Sequence, residues 1–309
     1  MKARERRRRR RTPWWRWALS RVGAILGVGW VVATVVFFAL RAAGGDPTEA
    51  ILGGPGSQTS PEAMEAARRE YGLDQPVVIQ YLNQLKRVAT LDLGNSYARG
   101  QPVGALIAEH FAPTLVLTAV ALGAAWVLAV VGAVVAVRRG GVVAQAIQMV
   151  EVVASVVPHF WLGAVFIAVF ASHFGWVPAT STTNHPAHVV LPGLTLAIPL
   201  AGFLAQVMHD RLVQAHTSPF ATTARTRGLS EVEVLVRHSL RHGVAPALAL
   251  SGWAFGSLLS GAVIVETLFA RPGLGRLLVE ATQARDVPVV IGVVVVVAAA
   301  YVVIMTVTD

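Results

Sequence analysis

Residues 113–137 read PTLVLTAVALGAAWVLAVVGAVVAV, twenty-five positions from Pro113 to Val137 without one charged side chain. At about 1.5 Å of rise per residue, a helix of this length spans more than the roughly 30 Å hydrocarbon core of a bilayer. Nothing in water rewards such a run, because a soluble helix keeps a polar face. Working outward, five more segments share this character: Val22 to Leu40, Val142 to Phe170, Val189 to Met208, Pro246 to Val265 and Val287 to Thr308. The pattern predicts an all-α, polytopic membrane protein with six transmembrane helices.

Composition agrees. Hydrophobic residues make up 54% and charged residues 14%, against about 25% charged in a soluble domain. The net charge of +9 does not point to nucleic acid, because ten of the 26 basic residues lie before position 22, directly ahead of an apolar run. That placement fits an anchor beside anionic lipid. A secretory signal also begins this way, but Val22 to Leu40 is 19 residues long, longer than the usual apolar stretch of a signal, with no convincing small-residue cleavage site after it, so it reads as a retained span. Without cysteine, disulfides, thiolate nucleophiles and cysteine-ligated metals are excluded.

Placing the N-terminus inside assigns seventeen basic residues to inside segments and nine to outside ones, so the positive-inside rule puts both termini in the cytoplasm. The expected organisation is a basic cytoplasmic segment 1–21, a first transmembrane helix 22–40, an external segment 41–112, and a five-helix core 113–309 with a cytoplasmic loop 209–245. Within the external segment, Pro61 to Ala89 has helical periodicity interrupted at Gly72, which predicts two short amphipathic helices, with Tyr81, Leu82, Leu85 and Val88 on one face. In the cytoplasmic loop, a short helix Phe220 to Arg227, Gly228 and a second helix Leu229 to Val244 follow one another, the latter with Val232, Leu235, Val236 and Leu240 opposite its charges. This suits either a coupling element for a soluble partner or an amphipathic helix lying on lipid headgroups.

Chemistry of other kinds is missing. The two lysines, Lys2 and Lys86, follow no phosphate-loop glycines, and neither a serine-hydrolase elbow nor a His-Glu-x-x-His pair occurs. His185 and His188 are too few to hold a metal. Inside the spans, Glu151 is the main functional suspect, because an ionisable group at membrane depth is costly. His159 and Glu266 stand nearer span ends and read as structural. Pro158 removes a backbone donor from the third span and predicts a kink, and kinked helices in transporters line cavities.

Taken together, these segments resemble the permeases of ATP-binding cassette importers for dipeptides, oligopeptides and nickel. The resemblance rests on Thr223-Ala224-Arg225-Thr226-Arg227-Gly228-Leu229, followed by Arg237-His238-Ser239-Leu240-Arg241 and Pro246, which looks like the family's ATPase-docking signature. Supporting it in order are Gly45-Asp46-Pro47, Tyr71-Gly72-Leu73-Asp74-Gln75-Pro76, Asp92-Leu93-Gly94, Pro158-His159-Phe160-Trp161-Leu162-Gly163, Gly175-Trp176-Val177-Pro178, and Glu266 with Pro272-Gly273-Leu274-Gly275. Three features depart from the pattern: Thr222 stands where the broader signature has glutamate, the leading arginines are unusually many, and the sequence ends at Asp309 where relatives continue.

The resemblance implies a prokaryotic inner-membrane permease that is not itself an enzyme. Its implied partners are a second homologous permease, two cytoplasmic ATPases that use ATP and magnesium, an extracytoplasmic substrate-binding protein and membrane lipid, with no nucleic acid. ATPase coupling falls to Thr222, Thr223, Ala224, Arg225, Arg227, Gly228 and Leu229, and the pathway candidates are Glu151, Pro158, Phe160 and Trp161. No catalytic residue, metal or cofactor is expected in this chain. Peptides are the first expectation for cargo, with nickel or a small glycoside next. An ion-coupled carrier using Glu151 is the competing reading, weakened by the lack of an inverted repeat.

Overall fold

The computed structural model describes residues 14–42, 44, 48, 51–52, 60–181 and 186–308. Helix α1 is Trp14–Ala42, and two shorter helices follow, α2 (Pro61–Glu70) and α3 (Val77–Thr90). Helix α4 (Val103–Arg139) turns back at Gly140 and Gly141, both with positive φ, into α5 (Gly141–Val156). After Pro158 comes α6 (His159–Phe166), which widens into a π-helical stretch Ile167–His173. Helix α7 (Ala187–His216) leads to α8 (Pro219–Thr226), then to α9 (Glu231–Glu233) with its π-helical continuation Val234–Ser239, and to α10 (Leu240–Ala249). Helices α11 (Ser251–Leu268), α12 (Leu274–Gln283) and α13 (Val287–Thr308) complete the chain. Among the described residues the only β pairing is an isolated bridge between Asn95 and Pro102, so the all-α expectation holds.

Five helices are long and apolar enough to cross a membrane, and α5 with α6 forms a bent pair of the same character, turned through 105°. Packing shows that this pair is a passage. Gly193 of α7 sits beside Val120 of α4, and further along Gly202 and Gly132 both sit against Glu151, so α7 runs parallel to α4. The chain between them must therefore return to the side from which α4 started, which makes six crossings. The same logic aligns α1 against α13 in opposite directions, with Gly29 near Val295 and Phe37 clustered with Ile291. Both helical ends of the chain thus share a side with α8 to α10, and α2 and α3 lie on the other.

Alanine makes the closest packing possible. Ala121, Ala125, Ala129 and Ala133 recur every fourth residue along α4, all fully buried, and meet Ala197, Ala201 and Ala205 of α7 in one core cluster. Small residues let helix backbones approach, and between helices in lipid that contact replaces the hydrophobic effect as the source of cohesion.

Several boundaries differ from expectation. Helix α4 begins at Val103, ten residues before Pro113, which lies inside it. The fifth span is divided at Leu250 into α10 and α11. Pro158 gives more than a kink, since the chain leaves the helical path at Val157 and restarts at a steep angle. The two amphipathic helices of the 61–89 region are present, but Leu82 faces outward while Tyr81, Leu85 and Val88 pack beside α1. The motif Gly45-Asp46-Pro47 and His185 lie outside the described residues; His188 bonds Thr180 O through Nδ1 at 2.9 Å.

Candidate functional site

The region Thr222 to Leu229 forms a braced elbow. Pro219 starts α8, where its missing N–H costs nothing. The helix ends in a Schellman pair: Gly228 N–H donates to Arg225 O at 2.9 Å, and Leu229 N–H to Ala224 O at 3.4 Å. This closure needs a left-handed residue, and Gly228 supplies it at φ +86°. Two residues on, Ser230 opens α9 with a capping box, its hydroxyl accepting from Glu233 N–H while the Glu233 carboxylate accepts from Ser230 N–H. Leu229 packs beside the buried cluster of Ala221, Ala224 and Val234.

Arg225 ties the elbow to α7. Its Nε lies 2.7 Å from Oε1 of Glu231 and its Nη2 lies 3.0 Å from Oε2, a forked pair. The same Nη2 donates to His216 O at 3.1 Å. Hydrogen bonding from Arg225 holds the Glu231 carboxyl below its usual range, and the pairing raises Arg225. Behind this, α10 closes on α7 through Gly243, where a side chain would press on Leu212 Cβ and Met208 O. Thr222, Thr223, Arg227 and Gly228 are all exposed, as are Val232 and Val236. Ala224 points inward and Arg225 and Leu229 are half-buried, so those three shape the elbow and the others form its surface.

At the opposite end, Glu266 is fully buried under the first turn of α12. Its carboxylate accepts from Gly275 N–H at 2.7 Å, Arg276 N–H at 3.2 Å and Thr114 Oγ1 at 2.6 Å. A helix N-terminus presents unpaired donors and positive partial charge, so a carboxylate there is satisfied without a counter-ion. Thr114 in turn accepts Leu274 N–H at 2.8 Å. Glycine is required at 273 because a side chain would collide with the Glu266 carboxyl. Nearby, Arg271 is buried and donates to Ser181 Oγ at 2.9 Å and to Pro113 O at 3.3 Å; burial lowers its pKa.

Glu151 is also buried, but both its carboxylate oxygens lack a hydrogen-bond partner. It lies in an apolar groove of about 500 Å³ between α4, α5 and α7, bordered by Leu128, Gly132, Ile147, Ala201 and Gly202.

The description "binding-protein-dependent transport system inner membrane component" matches residues 108–309, and the N-terminal counterpart of that family matches residues 15–118. The chain belongs to this permease family. Two similar proteins illustrate it: one named as a peptide transport system permease protein of Brucella suis biovar 1, 34% identical over 282 residues, and the glutathione transport system permease protein GsiC of Escherichia coli strain K12, 31% identical over 275. Each alignment covers 89% of both chains. This permease is thus a multi-pass inner-membrane component of a binding-protein-dependent transporter.

In the permease, the residues expected along a pathway do not converge. The Glu151 groove includes none of Pro158, Phe160 or Trp161. Phe160 and Trp161 are more than half exposed just beyond the bend, while Gly163 packs tightly against Leu268, Phe269 and Thr195. Leu235 is buried as expected, but Val232 and Val236, expected on the same apolar face, are exposed, and Val234 is buried instead. The π-helical turn over Val234–Ser239 shifts the register away from a 3.6-residue period. Thr114 and Arg271 carried no signal as single residues, although the glycines of Pro272-Gly273-Leu274-Gly275 marked the place where a side chain had to approach a backbone.

Proposed function

We propose that this permease forms half of the translocation pathway of an ATP-driven importer and takes up peptides. In this reading the elbow and both termini are cytoplasmic, and α2 and α3 are external. Its partners are a second homologous permease, two ATPases that hydrolyse ATP with magnesium, and an external binding protein that delivers cargo. Closure of the ATPases would displace the elbow as a rigid piece and reorient the spans, a two-state rearrangement that opens the pathway on one side at a time.

The observation that carries this proposal is the elbow itself. Its inner side is pinned by a Schellman closure, a capping box and a forked ion pair, so a push on the exposed Thr222–Gly228 side is transmitted to α7 instead of being absorbed. The names of the two relatives, for peptides and for glutathione, support a peptide cargo. A reconstituted four-subunit assembly with its binding protein tests it: peptide-loaded binding protein should raise ATP hydrolysis several-fold. Stimulation by nickel or a glycoside alone would reassign the cargo.

A further inference from the structure

Beside α2 and α3, where α1 ends and α13 begins, lies a cavity of about 700 Å³. Phe37 and Leu40 of α1 and Val287 of α13 give it an apolar side. The rest is polar and strongly basic, with five arginines against the carboxylates of Glu70 and Asp74.

Donors in this cavity outnumber acceptors. Nη1 of Arg285 is buried without a hydrogen-bond partner, on a residue held in the left-handed region at φ +56°. Gln84 is only 8% exposed, and its amide makes no hydrogen bond among the described residues. Arg87, one turn further along α3, has its guanidinium leaning over Gly94 and no ion pair among the described residues. Buried polar groups in folded proteins are almost always paired, so the unpaired Nη1 of Arg285, with the Gln84 amide and the exposed Arg87 guanidinium on the same cavity, calls for a ligand made of acceptors.

We propose that this cavity binds the phosphate group of an anionic phospholipid, whose acyl chains run down beside α1 and α13. A phosphodiester offers only acceptors, and two guanidinium forks and an amide match them. Phe37, Leu40 and Val287 continue that polar seat into the apolar layer, which suits an amphiphile. A zwitterionic lipid brings the same phosphate but adds an ammonium to a cavity with excess positive charge, so the site favours an anionic headgroup.

Native mass spectrometry of the full chain in mild detergent, equilibrated with equal phosphatidylglycerol and phosphatidylethanolamine, tests this. Wild type should retain phosphatidylglycerol preferentially. Arg285→Gln should reduce it about five-fold, the loss expected for one basic contact with lipid, Gln84→Leu should reduce it as well by removing a neutral donor, and the exposed Arg87→Gln provides a third variant should either fail to fold. Lys86→Gln, on the same helix but outside the cavity, should retain wild-type levels. Undiminished phosphatidylglycerol in folded cavity variants, or an equal loss in Lys86→Gln, would overturn the site. Thermal stabilisation by inorganic phosphate with no lipid retained would assign the cavity to a free anion and overturn the lipid proposal.

Discussion

Thr114 Oγ1 donates to the Glu266 carboxylate over 2.6 Å, linking α4 to α11 across 152 positions of sequence. The same hydroxyl accepts Leu274 N–H, so one threonine oxygen joins three helices. Thr114→Val removes both bonds and leaves buried groups unpaired, at about 1–3 kcal/mol for each. Its thermal midpoint in detergent should fall clearly, and Gly273→Ala should fall at least as far because the new methyl meets the Glu266 carboxyl. A Gly273→Ala protein melting with wild type would show that this junction tolerates displacement.

Gly228 has open space where a side chain would stand, so its substitution is penalised through backbone conformation alone. A non-glycine residue in this region costs roughly 1–2 kcal/mol, and asparagine tolerates it better than alanine or a β-branched residue. ATPase co-purification should therefore decline in the order glycine, asparagine, alanine, valine, with membrane expression near wild type throughout. Equal co-purification across the series would argue for the lipid-headgroup reading of the elbow.

The Arg225–Glu231 pair gives the elbow a pH dependence. Because the folded-state pKa of Glu231 is depressed, the pair stabilises the elbow above the ordinary carboxylate value of about 4, and this contribution disappears as pH falls through the depressed value. A nitroxide on Thr222→Cys should become more mobile on acidification past that range. Glu231→Gln should show the mobile spectrum already at neutral pH, and an immobile label there would mean that the Schellman closure suffices alone.

Orientation is tested by labelling. Ala89 and Thr222 are both exposed and lie on opposite sides. An impermeant maleimide should modify Ala89→Cys in whole cells and Thr222→Cys only after permeabilisation. The reverse pattern would invert the proposed topology.

Glu151→Gln separates a role in transport from one in folding. Removing the carboxylate from an apolar groove should leave assembly intact or firmer, since an unpaired charge at membrane depth costs about 2.5–3.5 kcal/mol. If the groove belongs to the pathway, uptake should fall several-fold with ATPase co-purification unchanged. Full uptake would remove Glu151 from the pathway.

The spans and the elbow were legible because each rests on local pattern: uninterrupted apolar runs, and a glycine between two helical periods. What escaped depends on residues distant in sequence. Pro113 reads as a helix start, yet the helix passes through it and its carbonyl is claimed by Arg271. Ser96 reads as a surface loop residue but is fully buried, its hydroxyl held by Asp286, 190 positions away. Val232 and Val236 followed an α-helical period that the π-helical turn breaks.

The steep turn at Pro158 also bears on the surrounding bilayer. Helix α5 has 16 residues, a rise of about 24 Å against a core near 30 Å, and the arm beyond the turn adds little depth because it leaves at 105°. Helix α5 alone is thus shorter than a hydrocarbon core of that thickness. A span of such length is matched by local thinning of the bilayer, at a fraction of a kcal/mol for each ångström of mismatch. Acyl-chain length is therefore the variable to which this crossing should respond: shorter chains should relieve the mismatch, and longer chains should load the turn.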